Sequence, residues 1–122
     1  TKMPYSKTVL DHLENPRNVG ELADATVTSS VINSACGDQI KLFIKLLDKN
    51  ITSVKMQAYG CAPTLASASL LTEWLIDKTI HQASLLETDE LIKMLEGLPR
   101  GKKHAADLAI EALQTALSKL NK

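Results

Sequence analysis

The stretch that decides the fold is residues 39–60, which read QIKLFIKLLDKNITSVKMQAYG. Apolar residues occupy every second position on both sides of its centre: Ile40, Leu42, Ile44 and Leu46, then Val54, Met56 and Ala58. Strict alternation is the pattern of a strand with one face in the core and the other in water. The intervening DKN at 48–50 predicts a tight turn, so we expect the two strands to form an antiparallel hairpin.

The rest of the chain separates into one further strand and several helices. A β-branched run at 25–33 predicts a first strand, which is broken by the ACGD of residues 35–38. Apolar spacing and breaker residues predict helices at 5–14, 64–76, 81–85, 88–96 and 103–120, with Thr88 as a partial capping signal. Strands followed by helices predict an α+β fold. We expect one domain over residues 1–122, with a three-stranded antiparallel sheet and helices packed on one of its faces.

Charge and cysteine content narrow the class of function. Lysine and arginine total 14, as do aspartate and glutamate, so the 122-residue chain has no net charge with which to attract nucleic acid or an anionic membrane. No apolar stretch approaches the roughly 20 residues that span a bilayer. We therefore expect a cytoplasmic protein, or one of an organelle matrix after removal of a presequence. Because the cytoplasm keeps thiols reduced, the two cysteines predict metal binding or thiol chemistry rather than a structural disulfide.

Cys36 and Cys61 are the first candidates for a functional site. Cys36 lies in the loop between the first two predicted strands, two residues before Asp38, where a thiol can face a ligand. Cys61 follows the third strand and precedes a helix, whose free backbone amides favour a thiolate or a bound anionic group. The alternative is structural in each case: a small buried residue or a capping thiol for the cysteines, and a turn residue for Asp38.

The hairpin brings these two loops to the same end of the sheet. The second strand runs away from Cys36, and the third returns toward Cys61 over about the same number of residues. We therefore expect Cys36, Asp38 and Cys61 to converge. His104, at the start of the last helix, is a candidate nitrogen ligand, although this position is also typical of a solvated or capping histidine. The other two histidines are interpreted as structural.

Several motifs, in order along the chain, resemble the IscU/NifU-type iron–sulfur cluster assembly scaffold. They comprise DH at 11–12 with NPRNVG at 15–20, ACGD at 35–38, GC at 60–61 followed by ASAS at 66–69, TEW at 72–74, and LP at 98–99 with His104. The resemblance extends from Tyr5 to about Leu117. It implies a scaffold, not an enzyme, that receives sulfur from a cysteine desulfurase, holds an iron–sulfur cluster of the 2Fe–2S type and passes it to acceptor apoproteins.

The resemblance also implies the ligands. Carried over by position, they are Cys36, Asp38, Cys61 and His104, whereas the family's third cysteine is replaced here by Ala105. Two thiols, a carboxylate and an imidazole still offer four donors, which suit a cluster with mixed ligands or tetrahedral zinc. Acceptance of a persulfide then falls to Cys36 or Cys61, or does not occur.

The departures from the family pattern leave alternatives open. The family's chaperone-recognition segment, usually LPPVK, reads LPRGK at residues 98–102, which argues against recognition by an Hsp70-type chaperone. One alternative function is a degenerate relative that binds zinc or no metal and acts as a partner-binding or regulatory module. The other is an enzyme with a cysteine nucleophile assisted by His104, for which the sequence supplies no orienting third residue.

Overall fold

The order of strands and helices in the computed structural model, which describes residues 5–120, agrees with the predicted α+β class. The elements are α1 (Lys7–Glu14), β1 (Val27–Ile32), β2 (Gln39–Leu47), β3 (Asn50–Tyr59), α2 (Ala62–Leu75), α3 (Ile80–Ser84), α4 (Thr88–Met94) and α5 (Lys103–Leu120). Each predicted strand and helix is present, with bounds that differ by a few residues.

The three strands form an antiparallel sheet in the order β1-β2-β3. The predicted hairpin is confirmed: β2 pairs with β3 from Gln39 opposite Tyr59 to Leu47 opposite Asn50. Both strands are longer than the alternation predicted, because the ladder continues to the tight turn through a register shift after Lys45.

The helices cover one face of this sheet, as predicted. The inward side chains of β2 at Ile40, Leu42 and Ile44 are fully buried. Helix α5 packs on β1 and β2, and α2 packs on β3. Because α2 also contacts α1 and α5, most of its side chains are buried, so it is apolar on nearly every side rather than amphipathic.

The predicted cap of the fourth helix was wrong. Thr88 is the first helical residue of α4, and Glu87 precedes it in extended conformation as the N-cap. The backbone N–H of Glu87 donates to the Glu90 carboxylate at 3.2 Å. The glutamate three positions on therefore reaches back to Glu87; counted from Thr88, the same spacing falls on Leu91, which cannot accept a hydrogen bond.

A buried polar cluster joins α1 to α2. His12 is 4% exposed, and its Nδ1 lies 2.7 Å from the Ser69 hydroxyl, which also accepts the Arg17 backbone N–H at 2.9 Å. The Nε2 atom lies 3.5 Å from a Glu73 carboxylate oxygen. Burial lowers the pKa of His12 and the Arg17 charge adds to the effect, while the carboxylates of Glu73 and Asp11 oppose it. The cluster supports the structural interpretation of this histidine.

The segment after α1 closes part of the outer edge of β3. The Met56 N–H donates to the Asn18 carbonyl at 2.8 Å, and the Gly20 N–H donates to the Met56 carbonyl at 2.9 Å. The Asn18 amide also donates to the Thr72 hydroxyl at 3.1 Å. The NPRNVG motif therefore ties α1, α2 and the sheet together. Within residues 5–120, no helix is both long enough and apolar enough to cross a membrane.

Candidate metal centre

The hairpin brings the two cysteine loops together at one end of the sheet. Gln39 and Tyr59 form the last pair of the β2–β3 ladder, so Asp38 and Gly60 stand next to each other just beyond it. The Cys61 thiol donates a hydrogen bond to Oδ2 of Asp38 at 3.3 Å. The predicted convergence of the two loops is therefore present in the structure.

His104 joins this group from the first turn of α5. One ligand atom from each of Cys36, Asp38 and His104 lies within 4.8 Å of the other two. Cys61 connects to the same group through its contact with Asp38. The structure thus brings Cys36, Asp38 and His104 together as one group, and Cys61 contacts that group at Asp38.

Exposure differs across the site. Asp38 is only 5% exposed and lies at its base. Cys36 is exposed, while Cys61 and His104 are half-buried. The site therefore opens to solvent on the side of Cys36, and a reagent or partner protein reaches that thiol first.

Hydrogen bonds hold Asp38 as a carboxylate despite its burial. The Thr64 hydroxyl, in the first turn of α2, donates to Oδ2 at 2.6 Å. Burial alone raises the pKa of Asp38, but hydrogen bonds from Thr64, Cys61 and Cys36 outweigh burial and leave that pKa below its usual value. A buried anion at the base of the site favours a bound cation.

Gly60 provides the space that Asp38 occupies. A Cβ placed on Gly60 would lie 2.5 Å from Cγ of Asp38 and 2.9 Å from its Cβ, closer than real Cβ contacts. The backbone φ of Gly60 is +143°, a conformation that L side chains rarely adopt. Glycine is therefore required at this position both by its conformation and by the neighbouring carboxylate.

The orientation of His104 is set by the loop before α5. Its Nδ1 lies 3.2 Å from the carbonyl oxygen of Gly101. Because a carbonyl can only accept, this contact assigns the proton of a neutral imidazole to Nδ1 and leaves the lone pair of Nε2 free. A histidine whose second nitrogen donates to a backbone carbonyl is the usual arrangement of a metal ligand.

Ala105 follows His104 and is fully buried. Its methyl group offers no donor atom, so the predicted ligands remain two thiols, one carboxylate and one imidazole. Thiolates and imidazole suit iron and zinc, and the carboxylate adds a harder donor. The set fits a cluster or a single tetrahedral metal ion.

Two features of this end of the molecule were missed by the sequence analysis. Thr64 is the strongest partner of Asp38, and its only sequence signal is its position three residues after Cys61 at the start of a helix. An open cleft of about 260 Å³ adjoins His104 and contains two acidic residues of α5, Asp107 and Glu111. Their helical spacing was visible in the sequence, but the neighbouring strand end that completes the cleft was not.

Comparison with known proteins supports the resemblance. Residues 4–122 match the family described as the NifU-like N terminal domain. The chain is 42% identical over 113 residues to the iron–sulfur cluster assembly scaffold protein IscU 1 of Archaeoglobus fulgidus. The aligned region covers 93% of this chain and 74% of that protein. It is 40% identical over 120 residues to the scaffold protein IscU of Escherichia coli strain K12, covering 95% and 93% of the two chains.

A solved structure shares the fold at lower identity. The N-terminal part of a nitrogen-fixing NifU-like protein from Brucella abortus superposes with a TM-score of 0.78 at 20% identity, over 97% of this chain and 94% of the other. At that identity the likeness concerns the fold alone. The family match, over residues 4–122, and the relatives at about 40% identity show family membership as well as the fold. The chain belongs to the family of NifU-like N-terminal domains.

Proposed function

We propose that this protein is an iron–sulfur cluster assembly scaffold, whose cargo is a cluster of the 2Fe–2S type. Relatives with about 40% identity over most of the chain carry that name. The role is assembly and transfer rather than turnover of a substrate, so the protein is not an enzyme. The reduced state of two unpaired cysteines is compatible with a cytoplasmic location.

One observation carries the proposal: ligand atoms of Cys36, Asp38 and His104 lie within 4.8 Å of one another, and Cys61 contacts Asp38 at 3.3 Å. A cluster with two iron atoms needs four protein donors, and these three side chains together with Cys61 offer four. The Gly101 carbonyl engages Nδ1 of His104, which leaves Nε2 to face a metal, and hydrogen bonds keep the pKa of Asp38 below its usual value, which favours the carboxylate that a metal needs.

The two cysteines differ in how readily they can bind. The Cys61 thiol donates a hydrogen bond to Asp38, so binding of iron to that sulfur must displace this hydrogen bond. Cys36 is exposed and is the better sulfur acceptor. Its thiolate would attack the outer sulfur of a persulfide on a cysteine desulfurase, form a new S–S bond and release the donor's cysteine as a thiolate.

The partners follow from this chemistry. A cysteine desulfurase supplies sulfur, and acceptor apoproteins remove the finished cluster. The LPRGK segment at 98–102 departs from the chaperone-recognition pattern, so the proposal includes no Hsp70-type chaperone. Nucleic acid and membranes have no part in it.

Anaerobic reconstitution tests the proposal. The protein is incubated with ferrous iron, cysteine and a desulfurase, and the product is examined by visible absorption and Mössbauer spectroscopy. We expect one 2Fe–2S cluster per chain, lost in Cys36→Ser and Cys61→Ser and weakened in His104→Ala. His81→Ala is the matched control, because His81 is an exposed histidine on α3 outside the site. Absence of a cluster at stoichiometric iron would contradict the proposal.

A second candidate function is favoured by Ala105. Without the third thiol, the donor set also suits a single tetrahedral zinc ion, and the protein would then act as a partner-binding or regulatory module for the desulfurase. Metal analysis of protein purified without added metal, combined with a pull-down against the desulfurase, separates the two functions. Bound zinc with no cluster formation supports the second; a protein that neither holds zinc nor binds the desulfurase excludes it.

A further inference from the structure

The Thr64 hydroxyl lies between two of the predicted ligands. Its Oγ1 donates to Oδ2 of Asp38 at 2.6 Å and lies 3.3 Å from Sγ of Cys61. We propose that Thr64 is a positioning residue: its hydroxyl bonds Asp38 in the empty protein, turns to the Cys61 sulfur when that sulfur binds metal, and so raises the reduction potential of a bound cluster. The effect on a cluster rests on the proposed function, whereas the hydrogen bond to Cys61 applies to any metal that binds thiolate.

The first turn of α2 fixes the position of this hydroxyl. Cys61 is the N-cap residue, and its backbone carbonyl accepts the Thr64 N–H at 3.0 Å. The Cys61 side chain makes no capping hydrogen bond, so its sulfur lies against the Thr64 hydroxyl instead of the helix backbone. Thr64 is fully buried, so bulk water does not compete for its hydroxyl.

In the empty protein, the hydroxyl has one strong acceptor. The Cys61 thiol donates to the same Oδ2 atom of Asp38 at 3.3 Å, so both side chains act as donors toward the carboxylate. A thiol sulfur is a weak acceptor, whereas a carboxylate is a strong one. The proton of the Thr64 hydroxyl is therefore directed to Asp38.

Metal binding reverses the order of the two acceptors. A sulfur that binds metal has released its proton to solvent, and the resulting thiolate accepts a hydrogen bond well. Asp38 then shares its negative charge with the metal, and it keeps the hydrogen bond from the backbone N–H of Cys61. Because Oγ1 of Thr64 is already within hydrogen-bond distance of both atoms, rotation of the hydroxyl proton is sufficient and no heavy atom has to move.

A hydrogen bond to a ligating sulfur changes the electronic properties of the metal. The donor withdraws electron density from the thiolate, and the reduced, more negatively charged form of a cluster gains more from it than the oxidised form. The reduction potential therefore rises. Cys36 is exposed and meets water in this role, whereas Cys61 is half-buried and has Thr64 beside it, so the two thiolates differ in their donors.

Cobalt(II) tests the hydrogen bond without any cluster. Cobalt bound by thiolate shows sulfur-to-metal charge-transfer absorption, and the component that is lost in Cys61→Ser reports on the Cys61 sulfur. A hydrogen bond stabilises the electrons of that sulfur, so its removal in Thr64→Val should move this component to longer wavelength. We expect Thr64→Ser, which restores a hydroxyl, to return the component to its original position.

Thr72→Val is the matched control. Thr72 is also fully buried on α2, but its hydroxyl donates to the Ser69 carbonyl at 2.7 Å, about two turns further along the helix. We expect this variant to lose stability without any shift of the absorption. An unchanged absorption in Thr64→Val, an equal shift in Thr72→Val, or no absorption from Cys61 in the presence of cobalt would each overturn the proposal. Thr64→Ala, which also lacks the hydroxyl, takes the place of Thr64→Val if the valine variant does not fold.

The reduction potential tests the effect on a cluster. Reconstituted protein is titrated electrochemically while its visible absorption is recorded. At the potential that reduces half of the clusters in the unmodified protein, we expect the ratio of reduced to oxidised cluster to fall about tenfold in Thr64→Val, equivalent to about 59 mV for a one-electron couple. Thr64→Ser and Thr72→Val should keep the original ratio.

An unchanged or raised potential in Thr64→Val would contradict the proposal. Failure of the unmodified protein to form any cluster would instead count against the scaffold function, and the cobalt spectra would still decide the role of Thr64.

Discussion

Replacing Gly60 with alanine should destabilise the protein in two separable ways. The first is backbone strain at φ +143°, which costs about 1–3 kcal/mol for a residue with a side chain. The second is steric, because the new Cβ would lie 2.5 Å from Cγ of Asp38. Asp38 is 5% exposed, so it has little room to move without breaking its 2.6 Å hydrogen bond from Thr64.

Gly20 supplies a matched control for the strain. Its φ is +138°, close to that of Gly60, yet a Cβ there would meet nothing within 4 Å. A hydrogen bond to a charged group contributes about 1.5–3 kcal/mol, so Gly60→Ala should cost that much more than Gly20→Ala. The difference between the two variants therefore measures the displacement of Asp38 alone.

Urea unfolding followed by circular dichroism gives both free energies of unfolding, with the m-value as a check that both variants unfold in one step. Cobalt(II) binding, followed by its visible absorption, reports on the site. We expect weaker cobalt binding in Gly60→Ala and unchanged binding in Gly20→Ala. Equal losses of stability in the two variants would refute the argument that Gly60 exists to make room for Asp38.

Three further predictions concern a buried histidine, a hydroxyl and a missing thiol. Because burial lowers the pKa of His12 below its ordinary value of 6.5, the unfolded chain binds more protons just below that pH. The contribution of His12 to the free energy of unfolding should therefore be complete above about pH 6.5 and decrease as the pH drops toward the folded-state pKa. Urea unfolding between pH 5 and 8 should show this dependence. An equal dependence on pH in His12→Gln would contradict it. Thr64→Val should lower the free energy of unfolding at pH 7 by about 1.5–3 kcal/mol and raise the pKa of Asp38, because it removes the buried hydrogen bond. The control Thr52→Val, at an exposed position on β3, should change the free energy of unfolding little. An equal loss in both variants would argue against the buried hydrogen bond. Ala105→Cys should destabilise the metal-free protein by about 1–3 kcal/mol, because the position is fully buried, and should lengthen the lifetime of a reconstituted cluster against a chelator, measured by visible absorption. A lifetime that is unchanged or shorter would show that a thiol at this position does not reach the cluster.

The hairpin is the part of the fold that local sequence patterns determine most directly. Alternation over 39–60 sets which side chains face the core, and a short polar turn sets the pairing, so the meeting of Cys36 with Cys61 follows from counting residues along two strands. The bounds of α2 could also be predicted approximately from the sequence, since Pro63 suits the first turn of a helix and residues 64–75 contain no glycine or proline.

The cap of α4 and the environment of His12 were harder to predict from the sequence. Glu87 and Thr88 are adjacent, and choosing between them requires the backbone conformation, which is extended at Glu87. His12 occupies a helix position that its neighbours in sequence would leave half in solvent. It is buried only because Ser69 and Glu73, more than fifty residues later, pack on that face of α1.

By itself, the sequence determined the α+β class, the hairpin and the family, and it predicted four side chains as metal ligands, because each of these is written in periodicity or in short motifs. Only the tertiary structure decided how those side chains are held. The burial of Asp38, its bond from Thr64, the room left by Gly60 and the cleft beside His104 each join residues from different elements. Local sequence carries no measure of the distance between such elements; packing of the helices on the sheet sets it.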